Sequence, residues 1–167
     1  MSIAFIWLLL GYAIMKSRPS MPDIPLPAWF WLSTGLVLIA SLFIHWSWRG
    51  AAAGSTPTAR HGLSGALALG VLFLVSQAFG FVALLGAHAG VPATEQLARM
   101  VFFLGLLHGL HALGGLVLGA VLLGRVLRGD VGDITRHRLG LTVAYWHFLA
   151  IVWMAMFAMF LLAPGPA

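Results

Sequence analysis

Four long stretches without a single charged side chain dominate this sequence: residues 28–48, 61–94, 100–124 and 139–167. A helix needs about 20 apolar residues to cross a hydrocarbon core of about 30 Å, and each stretch is long enough. The second is long enough for one helix and a loop turning at Gly90 and Pro92. Backbone polar groups in lipid must be satisfied within the segment, so each stretch is constrained to be a helix. Met1 to Met15 is apolar but too short for a full crossing and reads as an abbreviated first helix ending at Lys16 and Arg18. It does not read as a secretory signal, because no Lys or Arg precedes the apolar run and no A-x-A site follows it.

The expected architecture is therefore all-α: one transmembrane bundle over 1–167, with four full spans and a short N-terminal helix. The expected helices are about 3–16, 28–48, 61–86, 98–125 and 139–163. The connections should be about a dozen residues each, which leaves no room for an extramembrane domain. No internal repeat is evident, which weakens a transporter built on inverted symmetry.

Composition agrees with this reading. Charged residues are 8% of the chain, nine Lys+Arg and four Asp+Glu, which is too few to build a water-facing surface. That excludes a soluble enzyme, and the apolar content excludes a disordered chain. There are no cysteines, so disulfides, zinc-thiolate sites, iron–sulfur clusters and thiol catalysis are excluded. The net charge of +5 does not indicate nucleic acid, because the basic residues sit at segment ends rather than along a stripe. Six of them, Arg49, Arg60, Arg125, Arg128, Arg136 and Arg138, fall on one side of the membrane, and Lys16, Arg18 and Arg99 fall on the other. By the positive-inside rule the N-terminus is cytoplasmic and the C-terminus is outside.

Small residues recur at helical spacing: Gly62, Ala66 and Gly70; Gly105 and Gly109; Gly115 and Gly119. In lipid such stripes let helices approach closely, and packing is the expected role here. Polar residues follow similar periods. Thr34, Ser41 and His45 share one helix face, His108 and His111 lie near the face carrying Gly115 and Gly119, and Tyr145, Trp146 and His147 are consecutive. All four acids, Asp23, Glu95, Asp130 and Asp133, lie outside the spans or at helix ends. Proton relays and intramembrane cation sites usually need carboxylates, so no obvious proton carrier is present. His45, His108, His111 and His147 could offer a facing pair to a haem b, or could serve as interhelical hydrogen-bonders.

Several of these residues together resemble subunit III of the haem-copper oxidases, the cytochrome c and quinol oxidases, in a shorter five-helix form. Phe102-Phe103 followed by His108-Gly109-Leu110-His111, with Gly114 and Gly115 behind, is similar to the family's FF…HGLHxxxG helix. Tyr145-Trp146-His147-Phe148 with Trp153 is similar to its YWHFxDxxW helix. Ile24-Pro25-Leu26-Pro27 with Ser33, and Phe73-Leu74 with Gln77, resemble the LPLP…S and FLxxQ segments in the same order.

The resemblance implies an accessory, non-catalytic subunit that carries no haem, copper or other metal itself. It would stabilise the catalytic subunit I among the other oxidase subunits, bind phospholipid and shape proton uptake. The setting would be aerobic respiratory electron transport in a bacterial-type inner membrane. The implied interhelical and lipid-contact set is His108, His111, Tyr145, Trp146, His147, Trp153, His45 and Gln77. The chain departs from the family where carboxylates are usual. Gly80 stands three residues after Gln77, Ala150 follows Tyr145-Trp146-His147-Phe148 at the aspartate position, and the first helix has no glutamate. An accessory subunit of a nitric oxide reductase fits the same resemblance, and a haem b anchor or electron carrier stands as the reading of a different class.

Overall fold

The computed structural model describes residues 25–162, together with Leu10, Gly11 and Ile14. Four helices account for nearly all of it: α1 (Ala28–Ala52), α2 (Thr56–His88), α3 (Pro92–Leu127) and α4 (Asp133–Leu162). All four are long and apolar enough to cross a membrane. The expected N-terminal helix over 3–16 lies largely outside the described residues; Leu10, Gly11 and Ile14 are helical.

The helix ends follow from local sequence. Pro27 precedes α1, and α2 and α3 each carry a proline in the first turn, where a missing N–H costs no hydrogen bond. Glu95 and Asp133 occupy the first turns of α3 and α4, and Arg49 and Arg125 the last turns of α1 and α3, each complementing the helix dipole. Helix α1 ends in a Schellman turn. Gly54 adopts φ 72°, its N–H donates to Ala51 C=O (3.1 Å), and Ser55 N–H donates to Gly50 C=O (2.9 Å). Helix α3 ends the same way through Gly129 at φ 81°, with Gly129 N–H to Val126 C=O and Asp130 N–H to Arg125 C=O.

The helices run further than the uncharged stretches, and the connections are correspondingly shorter than the expected dozen residues. Between the four described helices they comprise 53–55, 89–91 and 128–132. Arg49, Arg60, Arg99, Arg125 and Arg136 therefore sit in helical turns rather than in loops. An arginine can lie along the helix with its guanidinium in the headgroup layer, so a charge marks the edge of the hydrocarbon and not the end of the helix.

Short turns make the helices alternate in direction. They close into a ring in which α1 packs on α2, α2 on α3, α3 on α4, and α4 returns to α1. The α1–α2 seam is the closest. A Cβ on Gly62 would lie 2.6 Å from Ser47 N, and one on Gly50 would lie 2.8 Å from Ala59 N, so backbones touch there. Elsewhere the glycines are sockets for large side chains: Gly70 receives the Trp146 ring and Leu116, and Gly119 receives Leu67.

The packing is inverted relative to a soluble bundle. Leu42, Val82, Ile134, Leu141 and Ile151 are each at least 60% exposed, whereas Ser33, Thr34, Ser47, Ser76, Gln77 and His108 are buried. Among the described residues, every exposed tryptophan is on α1, as Trp29 and Trp31 at one end and Trp46 and Trp48 at the other. Seventeen residues of helix separate the two tiers, or about 26 Å. That matches a pair of interfacial aromatic belts.

Candidate functional site: the polar interior of the bundle

The polar and aromatic residues singled out above gather in three clusters, and a separate buried pair, His88 Nδ1 and Thr94 Oγ1 at 2.9 Å, closes the α2–α3 turn. The first lies between α1, α2 and α4, near the Trp29–Trp31 end. Trp153 is fully buried and its Nε1–H donates to Thr34 Oγ1 at 2.9 Å. Thr34 in turn donates its hydroxyl to Phe30 C=O (2.7 Å). Gln77 Nε2 donates to Ser33 Oγ (3.1 Å), which donates to Phe30 C=O (2.9 Å). The helix therefore offers one carbonyl to two hydroxyls, and each hydroxyl then accepts from a different neighbouring helix. Phe30, Phe73 and Phe157 surround the Trp153 indole, with ring centroids 6.1, 5.8 and 6.2 Å away.

His108 of α3 completes this cluster without joining its hydrogen bonds. Its ring sits 5.6 Å from Trp153 and edge-on to Phe73 at 6.0 Å. Its Nε2 is buried and has no hydrogen-bond partner among the described residues, and neither has Gln77 Oε1.

The second cluster spans α3 and α4. Tyr145 donates its hydroxyl to His111 C=O (2.9 Å). His111 Nδ1 lies 2.6 Å from Leu107 C=O. A carbonyl only accepts, so Nδ1 carries the proton and Nε2 carries the lone pair. Next to this pair Trp146 is buried in the Gly70 and Gly115 sockets, and its Nε1 lacks a partner among the described residues.

The third cluster joins α1 and α4. Ser41 Oγ and His147 Nδ1 are 2.5 Å apart, and the His45 ring lies 5.7 Å from both His147 and Trp48. At this level the Ser41–His147 hydrogen bond ties α1 directly to α4. No group of three or more His, Asp or Glu that could hold a metal occurs among the described residues.

The residues singled out by sequence thus divide into pairs: Gln77 with Ser33, His108 against Trp153, Tyr145 with His111, and His45 with His147. Trp146 packs alone. Sequence reasoning did not reveal that Thr34 and Ser33 are the acceptors, or that Ser47 and Ser76 seal the α1–α2 seam by donating to Ala59 C=O (2.7 Å) and Trp29 C=O (2.9 Å). The shared face of Thr34, Ser41 and His45 on α1 was the available signal. The positions where the resemblance leads one to look for carboxylates are filled. A Cβ on Gly80 would already stand 3.3 Å from the Phe30 ring, and Ala150 is buried in the aromatic core.

An all-helical, multi-pass membrane bundle with a hydrogen-bonded interior is the class these features define. A family profile described as "Cytochrome c oxidase subunit III" matches residues 20–163. The chain belongs to that family. It is 30% identical over 129 residues to cytochrome c oxidase subunit 3 of Schizophyllum commune, covering 75% of this chain and 45% of that one. It is 30% identical over 90 residues to cytochrome bo(3) ubiquinol oxidase subunit 3 of Buchnera aphidicola, covering 54% and 46%. A probable cytochrome c oxidase subunit 3 of Nocardia farcinica is 31% identical over 96 residues, covering 55% and 45%. The chain spans about half the length of the curated relatives it matches.

Proposed function

We propose that this chain is an accessory, non-catalytic subunit of a haem-copper terminal oxidase in a bacterial-type inner membrane, where it braces the catalytic subunit and holds phospholipid. Membership of the subunit III family over residues 20–163 carries this reading. The interior supports it: polar side chains there bond mostly to one another and to carbonyls, the pattern of a scaffold. The orientation that suits it has the six arginines near the α1–α2 and α3–α4 turns in the cytoplasm and the C-terminus outside. With Gly80 and Ala150 at the family's carboxylate positions, an influence on proton uptake would act through the shape of the subunit surface and not through intramembrane acids.

Mild-detergent extraction of the tagged chain from its own membranes tests the proposal. The expected result is a co-purifying large subunit with a haem spectrum and oxygen uptake. Recovery of the chain without any haem protein would refute it. The departures at Gly80 and Ala150 favour one second reading, a nitric oxide reductase accessory subunit. Uptake of nitric oxide instead of oxygen by the purified complex would establish it.

A further inference from the structure

The four faces of the ring are not equivalent. The outer face of α1 carries both tryptophan tiers and suits lipid on chemical grounds. Along the α1–α2 seam the hydroxyls are spent internally, Ser47 on Ala59 C=O and Ser76 on Trp29 C=O. The seams on either side of α4 differ. On one, His111 is half-buried near the middle of α3, its Nδ1–H is committed to Leu107 C=O, and its Nε2 has no partner among the described residues. On the other, half-buried His147 engages only its Nδ1, with Ser41, and His45 makes ring contacts alone. An imidazole nitrogen, lone pair or N–H, facing hydrocarbon without a partner is costly, because lipid tails supply none. Between these seams the outer ridge of α4 alternates small and large residues, with Ala144 and Ala155 exposed beside Leu141, Phe148 and Ile151, so a neighbouring helix can approach closely.

We infer that the face centred on α4, flanked by His111 and His147, is the surface that docks onto a transmembrane helix of a different subunit, one that presents hydrogen-bonding side chains at this depth. The complementarity is polar: the Nε2 lone pair of His111 meets a donor on the partner, and the Nε2 of His147, donor or acceptor by its tautomer, meets a matching group there. The inference rests on the proposed accessory role and narrows it to one side of the bundle, leaving the α1 side to lipid.

Photo-crosslinking in native membranes tests it, with p-benzoylphenylalanine placed at Ile151 on α4 or at Val71 on α2. Both residues are exposed, at 67% and 52%. The expected result is a protein adduct from Ile151 containing the haem-bearing catalytic subunit, with only lipid adducts from Val71. Lipid adducts alone from Ile151, an adduct with a second copy of this chain, or equal protein adducts from both positions would overturn the inference. An adduct from Ile151 to an integral membrane protein that belongs to no oxidase complex, identified from its peptides, would uphold the docking face while overturning the oxidase reading. As a second measurement, Ile151→Trp should lower the amount of chain retained on the complex at least tenfold. The same change should leave the helix content and thermal unfolding of the purified chain unaltered, and Val71→Trp should be retained like wild type. Full retention of Ile151→Trp would also overturn the inference.

Discussion

Gly62 offers the sharpest test of how the bundle is held together. A methyl group there would lie 2.6 Å from Ser47 N and 2.7 Å from Ser47 Cα, where ordinary contact begins at 3.4 Å. The atoms it meets are backbone, so no side chain can rotate away. Helices α1 and α2 would have to part by about 0.8 Å. Overpacking of this kind costs about 1–3 kcal/mol. Parting the helices also stretches the 2.7 Å bond from Ser47 to Ala59 C=O, and an interhelical hydrogen bond in lipid contributes about 0.6 kcal/mol. Against this, alanine is the better helix former by about 1 kcal/mol. The net expectation for Gly62→Ala is a loss of about 0.6–2.6 kcal/mol. The assay is reversible unfolding of the purified chain in mixed micelles, with Gly114→Ala as the comparison. A Cβ at Gly114 meets nothing within 4 Å, so that variant should be neutral or more stable. Gly62→Ala as stable as Gly114→Ala would refute the claim that α1 and α2 touch through their backbones.

Further expectations follow from the same geometry. Thr34→Val should cost about 1–3 kcal/mol in that assay by orphaning the Trp153 indole N–H, while Thr34→Ser should retain most of the stability; equal losses would show that the hydroxyl is not the acceptor. His108→Phe removes a nitrogen without a partner and keeps an aromatic ring against Phe73 and Trp153, so it should be neutral or mildly stabilising; a loss above about 2 kcal/mol would show that Nε2 is hydrogen-bonded. Gly129→Ala forces a side chain into φ 81° and should cost about 1–2 kcal/mol, read as a lower unfolding midpoint. The purified chain incubated with haem b and then freed of unbound haem should retain no Soret band; a stoichiometric band abolished by His45→Leu would restore the haem reading.

Much of the fold is written in the sequence because the membrane simplifies the problem. Uncharged stretches must be helices, so α1 to α4 are legible from the positions of Arg49, Arg60, Arg99, Arg125 and Arg138 alone. Their true ends are not, because an arginine in a headgroup layer tolerates helical geometry as well as a loop does. The turn glycines Gly54 and Gly129 are visible as glycines, yet nothing in the sequence separates them from Gly50 or Gly124 inside helices. The candidate site is partly legible too. Thr34, Ser41 and His45 share a face by arithmetic, but which helix answers each one depends on the ring order. The pairs Thr34–Trp153 and Ser41–His147 span 119 and 106 residues. Local spacing carries no information about contacts at that range. The glycine stripes show a similar limit: the pattern marks close approach without telling backbone contact at Gly62 from a tryptophan socket at Gly70.

Closing the ring through the last helix has a consequence for the order in which the protein is made. A ribosome delivers α1 long before α4, so the hydroxyls of α1 enter the bilayer ahead of their partners. Thr34 and Ser33 tolerate the interval because both can return their protons to Phe30 C=O within the same helix. Trp153 has no such local recourse, yet it arrives last, when its acceptor on α1 is already in place. The polar groups are thus distributed so that the early helix can wait alone and the late helix cannot. A nascent chain stalled before α4 would leave α1 and α3 apart, with one side of the bundle open to lipid and to the membrane's quality-control proteases.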